Sequence, residues 1–178
     1  NRRSRGLGDV YKRQLMDKGK SFQISLCGMH AMDIMRMESG YLHWGHDISP
    51  EENQFEAGLN FAVSFKKNIN FIGRGALEKK RDKKEHKKFK MLILNNSKEG
   101  APLLLHDEPI YLKDKIVGRT TSGCYSFNYS KNLAFGYINS GLTGDQIDKE
   151  DFEIEVEKKK YSASVITRPL NNKKLSSL

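Results

Sequence analysis

The strongest periodic signal lies between residues 15 and 40, where apolar positions recur three and four apart. In HAMDIMRMES, Ala31, Ile34 and Met35, then Met37 and Glu38 one turn on, fall at helical spacing, and Gly40 is a natural C-terminal stop. The methionine-rich face reads as core, because methionine fills irregular gaps. The period then changes. EAGLNFAVSFKK alternates Leu59, Phe61, Val63 and Phe65, the mark of a half-buried strand. INFIGRGALEKKRDKKEHKK passes through Gly73 and Gly75 into a highly charged helix. Its basic run, Lys79 to Lys90, has acids mixed in and reads as a solvated face leading into a linker.

From Phe89 the pattern is one of short strands separated by Gly, Asn, Asp and Lys turns. LKDKIVG reads as a hairpin turning at Lys113-Asp114-Lys115, and VEKKKYSASV as another. Strands at this spacing with no helix between them predict a small antiparallel β-barrel, jelly-roll-like, and an α+β chain overall. The expected partition is 1–14 without order, a first domain over 15–86, a barrel over 87–170 and a frayed tail over 171–178.

Composition narrows the classes. No apolar run is long enough to span a bilayer as a helix. Two cysteines, Cys27 and Cys124, lie far apart with no CxxC pattern. That points to a reducing compartment, a bacterial cytoplasm, rather than to a disulfide framework or a zinc ribbon. The formal charge of +9 invites a polyanion partner. Much of it sits in NRRSRGLGDVYKRQ, which lacks apolar periodicity and resembles translated sequencing-adaptor read-through. That segment holds Arg2, Arg3, Arg5, Lys12 and Arg13 against Asp9, and without it the charge falls to +5. The basic run has a single Phe, Tyr or Trp, Phe89 near its end, too few for stacking bases, so nucleic acid is not the expected partner. A basic β-barrel binding module remains a separate reading.

Candidate chemistry gathers in MRMESGYLHWGHDISP. His43, His46 and Asp47 have metal-compatible types, but a metal site would need a third or fourth ligand fixed in space, no cysteine or HExxH helix accompanies them, and Gly45 breaks the helix between the rings. Gly73-Arg74-Gly75 lacks the spacing of a phosphate loop. No serine has a nucleophile-elbow context, and Cys124 reads as a small buried apolar residue. Glu38 differs, because it ends an apolar helix beside Tyr41 and Trp44, where a carboxylate is costly unless it accepts hydrogen bonds. Its donors could be Arg36 or backbone N–H groups, or the paired N–H groups of a planar ligand such as a 2-amino-4-oxo pteridine, with Tyr or Trp as a flat wall.

Four blocks occur in order: GMHAMDIMRMESGYLHWGHDI, FEAGLNFAVSFKK, FIGRGAL and VGRTTSGCYSFNYSKNLAFGYI. Over about residues 15–170 they resemble the C-terminal part of the tetrahydrofolate-binding aminomethyltransferase (glycine cleavage T-protein) family. The tryptophan of HWGHDI and the FEAGLNFAV block resemble the folate-binding halves of dimethylglycine and sarcosine dehydrogenases more than the T-protein itself. The resemblance implies the last part of a folate-binding domain followed by a C-terminal barrel. It implies that Glu38, in the R-x-E position, binds the pterin, that Lys67 lies toward the glutamate tail, and that Tyr41 and Trp44 flank the pterin pocket. The family often has arginine at the Lys67 position, so a bidentate grip becomes a point charge here. The family's catalytic aspartate and the dehydrogenases' FAD domain would both lie upstream. The expected activity is that of a demethylating dehydrogenase passing a one-carbon unit to tetrahydrofolate, with an aminomethyltransferase as the alternative. This chain alone is expected neither to oxidise a substrate nor to hold folate tightly.

Overall fold

A computed structural model describes residues 2–67, 69–81, 87–96 and 98–171. The chain divides into two compact units, Asn1–Met32 and Asp33–Leu178. The second unit runs across residue 86, where the sequence suggested a boundary. Residues on either side are tied together there: the Phe89 N–H donates to the Glu56 carbonyl at 2.8 Å, and Lys87 pairs with Glu52 at 2.5 Å.

In the first unit, helix α1 covers Arg2–Gly19, so the segment expected to lack order is helical. Local chemistry accounts for this. Leu, Lys, Arg, Gln and Met are good helix formers, and the exposed pairs Arg13–Asp9 (3.5 Å) and Lys20–Asp17 (2.7 Å) add a few tenths of a kcal/mol each, on the order of 0.2–0.5. The helix expected over residues 15–40 is broken. After one 3-10 turn at Lys20–Phe22, Gln23 takes a left-handed conformation, and helix α2 starts afresh at Met29.

Helix α2, Met29–Glu38, ends where Gly40 predicts. Gly40 has φ +75°, its N–H donates to the Met37 carbonyl at 3.2 Å, and the Tyr41 N–H donates to the Arg36 carbonyl at 2.8 Å. This is a Schellman stop, which a glycine at the left-handed position closes without strain. The strand expected over Leu59–Phe65 does not form. Asn60–Ala62 is a 3-10 turn, and Phe61 is 86% exposed. A strand exists only through its pairing, and among the described residues none lies alongside this segment. Phe65 instead packs against Phe55 and Phe71, each with ring centroids 6.3 Å away. The charged helix α3 covers Arg74–Arg81, opened by Gly73 at φ +87°. The rest of the expected basic run is divided: 82–86 lie outside the described residues, and Lys88–Lys90 belong to a strand.

The remainder is a closed antiparallel barrel, as its strand pattern predicts. Its strands are β1 (Lys88–Leu94), β2 (Pro109–Leu112), β3 (Lys115–Ser126), β4 (Lys131–Ile138), β5 (Asp151–Val156) and β6 (Lys159–Ile166), in spatial order β1-β4-β3-β2-β5-β6. The two expected hairpins are two-residue turns, with Lys113 and Asp114, then Glu157 and Lys158, all at positive φ. That is the primed geometry matching the strand twist. Of the expected tail, all but Asn171 lies outside the described residues.

The barrel interior is filled by Leu92, Leu94, Ile110, Ala134, Phe152 and Ile154, with Leu104 and Ile147 in the same cluster. Ile147 is carried by a single helical turn, α4 (Gly144–Ile147), capped by a reciprocal Thr143–Gln146 box. Thr143→Ala should therefore cost about 1 kcal/mol of unfolding free energy, read as a lower urea midpoint at unchanged slope. Strand β4 is buried on both faces. Its outer residues Leu133 and Phe135 form a second cluster with Met37 of α2, with Phe89 and Met91 packed against it. Phe89 meets Phe135 edge-on at 5.2 Å. That cluster seats the end of α2 on the outside of the barrel. Gly136 opposite Thr120 allows close strand approach, since a Cβ there would lie 2.6 Å from the Arg119 carbonyl oxygen.

Candidate functional site

The Schellman stop delivers Glu38 to the barrel wall. The residue is 4% exposed and its carboxylate has three contacts. Ser126 Oγ donates to Oε1 at 2.6 Å, and Asn128 Nδ2 lies 3.2 Å from Oε1 and 3.0 Å from Oε2. The Glu38 carbonyl also accepts from the Asn171 N–H at 2.8 Å. Ser126 ends β3 and Asn128 lies in the turn leading to β4. Neither partner was read from the sequence, which offered Arg36 or backbone N–H groups instead.

Arg36 is committed elsewhere. Its Nε donates to Asp33 at 2.8 Å, its Nη1 to Asp47 at 2.7 Å and its Nη2 to Ser122 Oγ at 2.9 Å. Asp47 is fully buried and accepts three further bonds: from the His43 N–H (2.8 Å), Thr121 Oγ1 (2.6 Å) and Ser122 Oγ (2.7 Å). Its backbone carbonyl accepts from the Tyr137 hydroxyl at 2.8 Å. Adjacent strand residues ordinarily point to opposite faces. Thr121 and Ser122 both reach Asp47 because β3 carries a bulge: its register to β4 shifts between Thr120 and Ser122. Asp47 is the latch holding the 41–48 loop to the barrel. Among the described residues, no group of three His, Cys, Asp or Glu side chains is arranged to hold a metal ion.

The latched loop presents Tyr41 and Trp44, which are 60% and 66% exposed. Gly45 turns it at φ +92°, its N–H donating to the Ile48 carbonyl at 2.8 Å. His43 and His46 lie beside one another with ring centroids 4.7 Å apart. Lys67 stands on a separate loop, exposed and without an ion pair among the described residues. Arg74 shapes that loop, donating to the carbonyls of Phe65 (3.1 Å), Lys67 (3.2 Å) and Ile69 (3.1 Å). Among the described residues, no hydrogen bond joins Glu38, Tyr41, Trp44 and Lys67 to one another.

Cys124 lies between the Glu38 and Asp47 contacts on β3. Burial, and then the Glu38 charge, push its thiol up to about 12, so it stays protonated at neutral pH and is no nucleophile. Burial likewise raises the Tyr137 phenol, reinforced by the charges of Glu52, Asp47 and Glu56, and fixes it as the donor to the Asp47 carbonyl.

The site is thus a helix end seated on a closed barrel, with one buried carboxylate facing a polar turn. Residues 5–67 match the GCVT N-terminal domain model and residues 87–171 the glycine cleavage T-protein C-terminal barrel domain model, and the chain belongs to this T-protein family. It is similar to the mitochondrial dimethylglycine dehydrogenase of Mus musculus, 34% identical over 163 residues, covering 90% of this chain and 18% of that protein. It is similar to the aminomethyltransferase of Listeria innocua, 34% identical over 162 residues, covering 88% of this chain and 43% of that one. Among solved structures, the glycine cleavage system aminomethyltransferase T from Bartonella henselae matches with a TM-score of 0.75 at 22% identity, over 89% of this chain and 43% of that chain. The chain thus spans less than half the length of these relatives.

Proposed function

We propose that the chain is the tetrahydrofolate-binding C-terminal part of an FAD-dependent demethylating dehydrogenase acting on dimethylglycine or sarcosine. The observation that carries this reading is Glu38: a buried, oriented carboxylate beside a latched loop with two exposed rings. That set of side chains suits a pterin. A carboxylate accepts the paired N–H groups of a 2-amino-4-oxo pteridine, Tyr41 and Trp44 offer aromatic faces, and Lys67 offers a cation to the folate's carboxylates. When bound, tetrahydrofolate supplies the nitrogens that take up the one-carbon unit. The residues of this chain bind and orient it, and keeping the transfer in place limits loss of the unit to water. Nothing among the described residues suits FAD, which belongs to the upstream part of the proposed parent protein. Similarity to dimethylglycine dehydrogenase supports the dehydrogenase reading. The parent is proposed to act in the bacterial cytoplasm. Among the described residues, no helix is long and apolar enough to cross a membrane.

Trp44 is the chain's single tryptophan, and its emission is a direct probe. Tetrahydrofolate titrated into the chain at up to millimolar concentration should quench it saturably, with weak affinity. Emission that falls only in proportion to inner-filter absorption would count against the site. The second reading, an aminomethyltransferase, is favoured by the Listeria relative, of which the chain spans more than twice the fraction it spans of the dehydrogenase. The coding sequence upstream separates the two, since only the dehydrogenase reading requires a dinucleotide-binding glycine motif there.

A further inference from the structure

We propose that Asn128 is a displaceable guard of Glu38, a residue that sets how readily the carboxylate accepts a ligand. The inference rests on the pterin reading of the site. Its geometry is specific. Asn128 Nδ2 stands 3.2 Å from one oxygen of Glu38 and 3.0 Å from the other. A single nitrogen near both oxygens lies close to the line that bisects the carboxylate. A planar ligand donating one N–H to each oxygen approaches along that same line. The amide and the ligand cannot occupy it together, so binding exchanges one for the other.

Two further observations make the exchange feasible. Asn128 itself is exposed, although the carboxylate it touches is buried. It sits in the turn of residues 127–130, between β3 and β4, beside Phe127, which is also exposed. Moving it therefore requires no core rearrangement, and it frees both carboxylate oxygens of the amide. Ser126, by contrast, is fully buried, and its Oγ both donates to Oε1 and accepts from the Tyr129 N–H at 3.3 Å. Ser126 is the permanent support and Asn128 the exchangeable donor. While the ligand is absent, the guard satisfies a carboxylate that would be left with one hydroxyl donor, a costly state for a buried charge.

The sign of one mutation separates this role from a structural one. A guard lowers apparent affinity by the fraction of time the site is open, so Asn128→Ala should tighten binding of tetrahydropterin by on the order of tenfold. Tetrahydropterin carries the ring without the glutamyl tail, which removes Lys67 from the comparison. The measurement is isothermal titration on the full chain, with Trp44 emission as a second readout. Asn128 lies outside the left-handed region, so alanine fits the turn. Asn128→Ser serves as a second variant should the first fold poorly, and it should also tighten binding. Affinity equal to or below that of the unsubstituted chain overturns the guard while leaving the pterin site standing. A folded chain and folded variants that all fail to bind overturn both.

Discussion

Asp47→Ala should cost the barrel-containing unit about 3 kcal/mol, the lower end of the range of about 3–5 for removing one partner of a buried ion pair. The carboxylate is fully buried and holds the Arg36 guanidinium, two hydroxyls and a backbone N–H. Removing it leaves those donors facing a cavity. The effect stays near the lower bound because Arg36 keeps Asp33 at 2.8 Å and Ser122 at 2.9 Å. Urea unfolding followed by far-UV dichroism reads the loss directly. A loss below about 1 kcal/mol, the ordinary worth of an exposed ion pair, would mean that the loop is not latched through Asp47. Asp47→Asn should recover little, because its amide N–H groups would confront the donors that the carboxylate accepts.

Glu38→Gln should weaken tetrahydrofolate binding by about 1.5–3 kcal/mol, roughly tenfold to a hundredfold, the range for a hydrogen bond to a charged group. The substitution keeps the shape and replaces one acceptor oxygen by a donor. That donor then opposes the N–H groups of the ligand. In the proposed parent enzyme, the same change should leave flavin reduction by the amine nearly untouched, because the oxidation is assigned to upstream residues. Unchanged folate affinity in the Gln variant would leave Glu38 as a purely structural carboxylate between α2 and β3.

What could be read from the sequence was what local rules decide. Gly40 announces the end of α2, and LKDKIVG and VEKKKYSASV announce their hairpins, because each depends on a few neighbouring residues, although Lys115, read into the first turn, opens β3. The alternation in β5, with Phe152, Ile154 and Val156 inward, likewise repeats every second position. The same rule misleads at Leu59–Phe65, where alternation is present and, among the described residues, a neighbouring strand is not. Pattern reports which face a segment could bury, while pairing decides whether it becomes a strand. The site shows the same division. Glu38 stands out as a carboxylate among apolar residues, but Ser126 and Asn128 lie 88 and 90 positions further along the chain. Asp47 offered no more than a metal-compatible type in the sequence, because its partners Thr121 and Ser122 are 74 and 75 positions away. Nothing local marks them, and the bulge that brings both hydroxyls to one carboxylate appears only once β3 and β4 are aligned.

That bulge works as a phase shift in the strand. Beyond Thr121, positions 122, 124 and 126 keep step with one another, and two of them serve different acids: Ser122 holds Asp47 and Ser126 holds Glu38. Pairing of Thr121 in place of Ser122 with Phe135 would turn both hydroxyls to the opposite side of the sheet together. The loop anchor and the ligand-facing carboxylate are thus set by a single reading frame of the pleat, and neither can be re-registered without the other.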